Sequence, residues 1–161
     1  MRARRRDGEP SAVLARLEVL YDRPFVAATE APVRLTIDGD VGYAGETSAL
    51  ELNVRNATAS AVDRVVLEIQ LPAGARFDEA ARAALTSRPT VQTLEVRSAG
   101  LVRVVLRRLE GAQTVELPIA VHWLARGRVT GLAVVAYAQD RADQLTVLAP
   151  RSLDLRPRPE D

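Results

Sequence analysis

Catalysis needs side chains that can hold a proton, a metal or a covalent intermediate, and this chain offers few. Its single histidine, His122, stands beside its single tryptophan, Trp123. A histidine works as a general base only with a nucleophile to deprotonate and a third group to orient its ring. His122 has the opposite parity to Val121 and Trp123 in an alternating run, which turns it to the polar side of its strand. Nothing in the spacing supplies the other two members of such a set. Cysteine is absent, which excludes disulfides, thiolate nucleophiles, Cys-ligated zinc and iron–sulfur clusters. Lysine is absent as well, so all 22 basic residues are arginines. Schiff-base chemistry and a phosphate-binding P-loop lysine are thereby excluded.

Carboxylates fall in close pairs at Asp38/Asp40, Asp78/Glu79 and Asp140/Asp143. Two carboxylates at a set separation can cleave a glycosidic bond, but aromatic residues to line a sugar cleft make up only 4% of the chain. Loop carboxylates also suit calcium. Asp38-Gly39-Asp40 and Asp140-Arg141-Ala142-Asp143 sit in expected loops, yet the twelve-residue EF-hand spacing is missing. No G-x-G-x-x-G, P-loop, G-x-S-x-G or H-E-x-x-H sequence occurs. Asn56-Ala57-Thr58 fits the N-glycosylation sequon, a pattern short enough to arise by accident. These residues predict a protein that is not an enzyme and takes no cofactor and no metal.

The elements that carry these residues follow a period of two. Leu50, Leu52 and Val54 alternate with Glu51, Asn53 and Arg55. Leu67, Ile69 and Leu71 alternate with Glu68 and Gln70, and Val102, Val104 and Leu106 with Arg103. Val115, Leu117, Ile119, Val121 and Trp123 share one parity, which predicts that Trp123 points inward. Such alternation gives strands with one dry face and one wet face. We read strands at Leu14–Tyr21, Val33–Asp38, Ser48–Arg55, Arg64–Leu71, Thr93–Arg97, Leu101–Leu106, Gln113–Trp123, Thr130–Ala138, Leu145–Leu148 and Ser152–Arg156. Glycines and Asn56 punctuate them as turns. The expected fold is mainly β: a two-layer antiparallel sandwich, Ig-like, with one short helix on its flank. The expected core contains Leu50, Leu52, Val54, Leu67, Ile69, Val104, Leu117, Ile119, Val121 and Val134.

The helix is the exception to the β rule. Asp78 to Leu85 is alanine-rich, and alanine has the highest helix propensity. Asp78 and Glu79 fall in the first turn, where the helix dipole favours negative charge, and Ser87-Arg88-Pro89 supplies the stop. Phe77, Ala81, Ala84 and Leu85 form the expected buried stripe. Asp78, Glu79, Arg82 and Arg88 are left on the wet side as the candidate partner-binding residues. The plainer role for such a helix is to cover a sheet edge.

At 161 residues the chain has the length of one domain, read as residues 13–156 between an Arg-rich tail at 1–12 and a tail at 157–161. The Phe25–Glu30 connection has no clear pattern. A net charge of +1 gives no field that would steer the protein to nucleic acid. Met1 to Arg6 resembles the start of a signal peptide, but Asp7-Gly8-Glu9-Pro10 follows, and Arg16 and Glu18 interrupt Val13–Leu20. No stretch approaches the ~18 apolar residues of a membrane span, so direct membrane insertion is not expected.

The order of elements carries one resemblance. A strand ends in Leu71-Pro72-Ala73-Gly74, a short helix follows, then Pro89-Thr90-Val91 and a strand pair around Leu94–Arg97 and Val102–Leu106. A late strand reads Val134-Val135-Ala136-Tyr137-Ala138-Gln139-Asp140. From Gly45 to Arg156 this resembles the C-terminal receptor-binding domain of the alpha-macroglobulin family. The resemblance implies a non-catalytic β-sandwich with one helix across its flank. It also implies a protein that traps proteases and a periplasmic or extracellular setting. The partners would be the other domains of a larger macroglobulin-like chain, or another protein. Animal members present two lysines on this helix to a clearance receptor. Here Glu79 and Ala83 stand near those places and Arg82 is the central cation, which does not replace a lysine ammonium. A second likeness, from Gly45 to Gly74, is to Ig-like stalk or adhesion repeats of bacterial surface proteins; such repeats would lack the helix. A carbohydrate-binding sandwich is a third reading, disfavoured by the inward parity of Trp123.

Overall fold

The computed structural model describes residues 30–39, 42–98 and 100–157. The expected strand Leu14–Tyr21, the Phe25–Thr29 part of the connection after it, Asp40, the tail at 1–12 and residues 158–161 of the other tail lie outside these residues. The chain runs β1 (Val33–Asp38), β2 (Thr47–Asn56), β3 (Val62–Asp63), β4 (Val65–Gln70), β5 (Ala75–Phe77), α1 (Glu79–Thr86), β6 (Val91–Ser98) and β7 (Leu101–Leu106). It continues through β8 (Arg108–Leu109), β9 (Thr114–Trp123), β10 (Gly127–Gly131), β11 (Ala133–Ala138), β12 (Thr146–Leu148) and β13 (Arg151–Leu155).

Two antiparallel sheets face each other. One has the order β1-β2-β9-β5 and the other β12-β11-β4-β7-β6. The alternation dictates the arrangement: β2 runs exposed–buried through Val54, and β9 repeats the pattern to Trp123. Their register places Leu50 opposite Ile119, Leu52 opposite Leu117 and Val54 opposite Val115. In the second sheet Ile69 lies between Val134 and Val102, and Leu67 between Ala136 and Val104. All ten residues expected in the core are buried and belong to one cluster. Trp123 is fully buried, as its parity predicts. Its indole N–H donates to the Ser48 hydroxyl at 2.8 Å, and that oxygen also accepts the Gly42 backbone N–H at 2.7 Å.

Three expectations need correction. The expected strand Thr130–Ala138 is two strands with different partners. Leu132 takes φ 62°, a left-handed turn that ends the pairing of β10 with β13 and starts that of β11 with β4 and β12. Burial of the Leu132 side chain offsets what that conformation costs a non-glycine residue. Ala84 is exposed rather than part of a buried stripe, because the short helix rests on the sheets along one narrow line through Leu85. The two-residue strands β3 and β8 and the three-residue β5 are additions that a window of alternating residues is too long to detect.

The turn after β2 is built by one buried side chain. Asn56 is fully buried. Its amide nitrogen donates to the carbonyls of Ser60 (2.8 Å), Glu110 (3.0 Å) and Leu109 (3.2 Å). Its Oδ1 accepts the Thr58 backbone N–H (2.9 Å) and hydroxyl (2.8 Å). The sequon asparagine is thus spent on joining the 56–60 turn to the 109–113 turn. Gly111 completes the junction: a Cβ there would lie 2.0 Å from the Ala59 carbonyl oxygen.

Candidate interaction face

The helix site is built outward from the unpaired side of β9. On an extended strand, alternate residues direct their N–H and C=O to the same side. On one side β9 pairs with β2 along nearly its whole length. On the other, β5 reaches only Val121 to Trp123, leaving the side of Glu116, Pro118 and Ala120 without a strand neighbour among the described residues. Pro118 has no N–H to satisfy, so it costs nothing there. The carbonyls of Ala120 and Glu116 are taken by the two ends of the helical segment. The Asp78 backbone N–H donates to Ala120 at 3.0 Å, and the Arg88 guanidinium donates to Glu116 at 2.6 Å. The helix therefore covers a sheet edge.

Asp78 is the N-cap: its backbone is extended, and its carboxylate accepts the Ala81 N–H at 3.0 Å. At the other end, the Ser87 N–H donates to Ala83 and its hydroxyl to Ala84, which satisfies carbonyls a helix end would leave open. Leu85, 1% exposed, is the anchor in the core. Of the four candidate partner residues, Asp78 and Arg88 are thus engaged in holding the segment in place. Glu79 and Arg82 form an exposed ion pair at 3.4 Å, a contact worth ~0–1 kcal/mol, so both heads are free to exchange it for a partner's charge. Beside them a shallow apolar groove opens between β5 and β6, floored by Leu71, Phe77 and Val102 and rimmed by Arg76, Val96 and Arg97.

The remaining chemistry-bearing residues do not converge. His122 faces the Thr47 hydroxyl at 3.2 Å from Nδ1 and lies opposite Arg76 across the β5–β9 pair. Asp38 accepts from Asn53 at 3.0 Å, and Asp140 lies 3.8 Å from Arg141. Among the described residues, no group of three or more His, Asp or Glu side chains is placed to hold a metal. On the outer face of the second sheet, burial pushes the Tyr137 phenol above its usual range, and the nearby Glu68 carboxylate adds to the shift. No sequence signal distinguished this pair, because it depends on β4 and β11 lying side by side with Tyr137 next to Glu68.

The chain is similar to a portion of the structure of Escherichia coli alpha-2-macroglobulin activated by porcine elastase. The match covers 83% of this chain and 14% of that one, with a TM-score of 0.62 and 14% identity. What is shared is an Ig-like β-sandwich fold. CaCohA2 from Clostridium acetobutylicum has the same fold at a TM-score of 0.50 and 9% identity, over 78% of this chain and 92% of that one. A non-cellulosomal cohesin from Archaeoglobus fulgidus aligns over 78% of this chain and 80% of that one, with 12% identity and a TM-score of 0.44. No protein-family model and no curated protein sequence matches the chain. The chain spans about a seventh of the length of the macroglobulin it aligns with.

Proposed function

We propose that this chain is a non-catalytic protein-interaction domain of an alpha-macroglobulin-like, protease-trapping protein. The observation that carries the reading is the alignment of 83% of the chain with part of E. coli alpha-2-macroglobulin, in company with the helix at Glu79–Thr86. That helix argues against the stalk-repeat alternative, which has no use for it. The packed interior supports a surface role: the facing sides of the sheets meet in one buried hydrophobic cluster, which directs ligand binding to the exterior. The partner-facing residues are Glu79 and Arg82, held in place by Asp78 and Arg88, and the partner is another domain of the same assembly or a second protein.

The test uses the native polypeptide that carries this domain. Treated with pancreatic elastase, it should retain the protease in a complex that survives gel filtration. Arg82→Glu should loosen the domain's contact within that complex without changing the melting temperature. A native protein that neither shifts its elution nor holds elastase sinks the protease-trap reading. Retention indifferent to the charge reversal removes the helix face from it.

A further inference from the structure

The second sheet ends in two unequal edges. β12 is three residues long and runs into Ala149-Pro150, which cannot continue a ladder. The other edge, β6, is eight residues long and has no strand on its outer side among the described residues. Gln92, Thr93, Glu95, Val96 and Arg97 are all exposed along it. Val96 is 46% exposed and is one of two large hydrophobic residues so placed among the described residues. An exposed edge with an exposed apolar side chain is a template for another strand.

We propose that β6 pairs with β6 of a second copy, antiparallel and centred on Val96. The sequence Glu95-Val96-Arg97 carries its own complement. About a two-fold axis through Val96, Val96 meets its twin, and Glu95 of each copy faces Arg97 of the other. Within one copy, Arg97 Nε already lies 3.1 Å from Glu95 Oε2, with both side chains about half exposed. Pairing joins the two ion pairs into a four-charge cluster on one face and buries the two valines on the other. Opposite charges directly across antiparallel strands are favourable, and like charges are not. The contact is isologous, so it closes at two copies. The β6–β7 ladder shifts register between Val91 and Thr93 and again between Val96 and Ser98, so regular backbone runs from Thr93 to Val96, Arg97 stands at the second irregularity, and the contact is short. The short, proline-ended β12 edge stops the joined sheet from growing at its far sides. This association involves a different strand from the helix residues proposed above and stands or falls separately from the protease-trap reading.

The experiment is sedimentation velocity over a concentration series, with Glu95→Arg and Arg97→Glu as separate proteins. The wild-type chain should show a weak, concentration-dependent dimer. Each single reversal sets like charges opposite one another across the contact, and self-association should fall by about tenfold in protein that remains folded by circular dichroism; Glu95→Arg also faces Arg103 on β7, so Arg97→Glu is the variant read at unchanged melting temperature. Mixing the two variants one to one should restore the dimer, because Arg at 95 then faces Glu at 97 and Glu at 95 faces Arg at 97. Val96→Lys should abolish association in every mixture. A wild-type protein that stays monomeric at all concentrations overturns the proposal. So does a dimer that survives the single reversals, or variants that do not associate when mixed.

Discussion

Replacing Asn56 tests whether one buried amide, rather than the surrounding strands, holds the two turns at this end of the sandwich together. Asn56→Ala removes donors to three carbonyls and the acceptor for the Thr58 N–H and hydroxyl. Leu109 is fully buried, so water cannot readily replace the lost bond to its carbonyl. Each buried polar group left without a partner costs ~1–3 kcal/mol, and relaxation of the exposed side of the 56–60 turn recovers part of the total. The expected loss is about 3 kcal/mol, a drop of roughly 6–12 °C in melting temperature for a domain of this size. Urea unfolding should show a lower midpoint with an unchanged slope, since the surface exposed on unfolding is the same. Asn56→Asp sharpens the test by keeping the size and the acceptor while turning a donor into an anion that faces three carbonyls. It should be at least as damaging at neutral pH. The introduced carboxyl is held above its ordinary range, so its protonated form suits the fold. Stability should therefore recover as pH falls below the carboxylate range and be lost as pH rises through it. A loss below about 1 kcal/mol for Asn56→Ala, the size of an ordinary surface change, would mean that the strands hold the two turns together without the amide.

Two further outcomes follow from the same accounting of polar groups. Ser48→Ala strands the Trp123 indole N–H and the Gly42 N–H; we expect a loss of ~1–3 kcal/mol and altered tryptophan fluorescence, whereas Ser48→Thr should keep most of both. Tyr137 has a raised pKa in the folded chain. The stability it contributes is complete below its ordinary value of 10.0 and is lost as pH rises through the higher folded value. Ultraviolet titration should find one tyrosine ionising late, and Tyr137→Phe should flatten the alkaline fall in stability.

Much of this protein follows from local pattern. Strands with every second residue apolar must bury one face, and two such sheets bury most by facing each other; hence the core from Leu50 to Val134 is legible in the sequence. The helix is legible too, because alanines and an acidic first turn act over a few residues. The inward turn of Trp123 follows from parity alone. What the sequence alone does not reveal depends on which segments become neighbours. The division of one apolar run at Leu132 reflects two competing strand partners. The roles of Asp78 and Arg88 depend on an open edge of β9, visible only once β5 is seen to stop at Phe77. Asn56 reads as a sequon locally, and only the meeting of two turns some fifty residues apart makes it a structural keystone. Periodicity reports which face of a segment avoids water, an energy set residue by residue. The pairing of distant backbone groups is set by the whole chain at once, and the tertiary structure alone decides it.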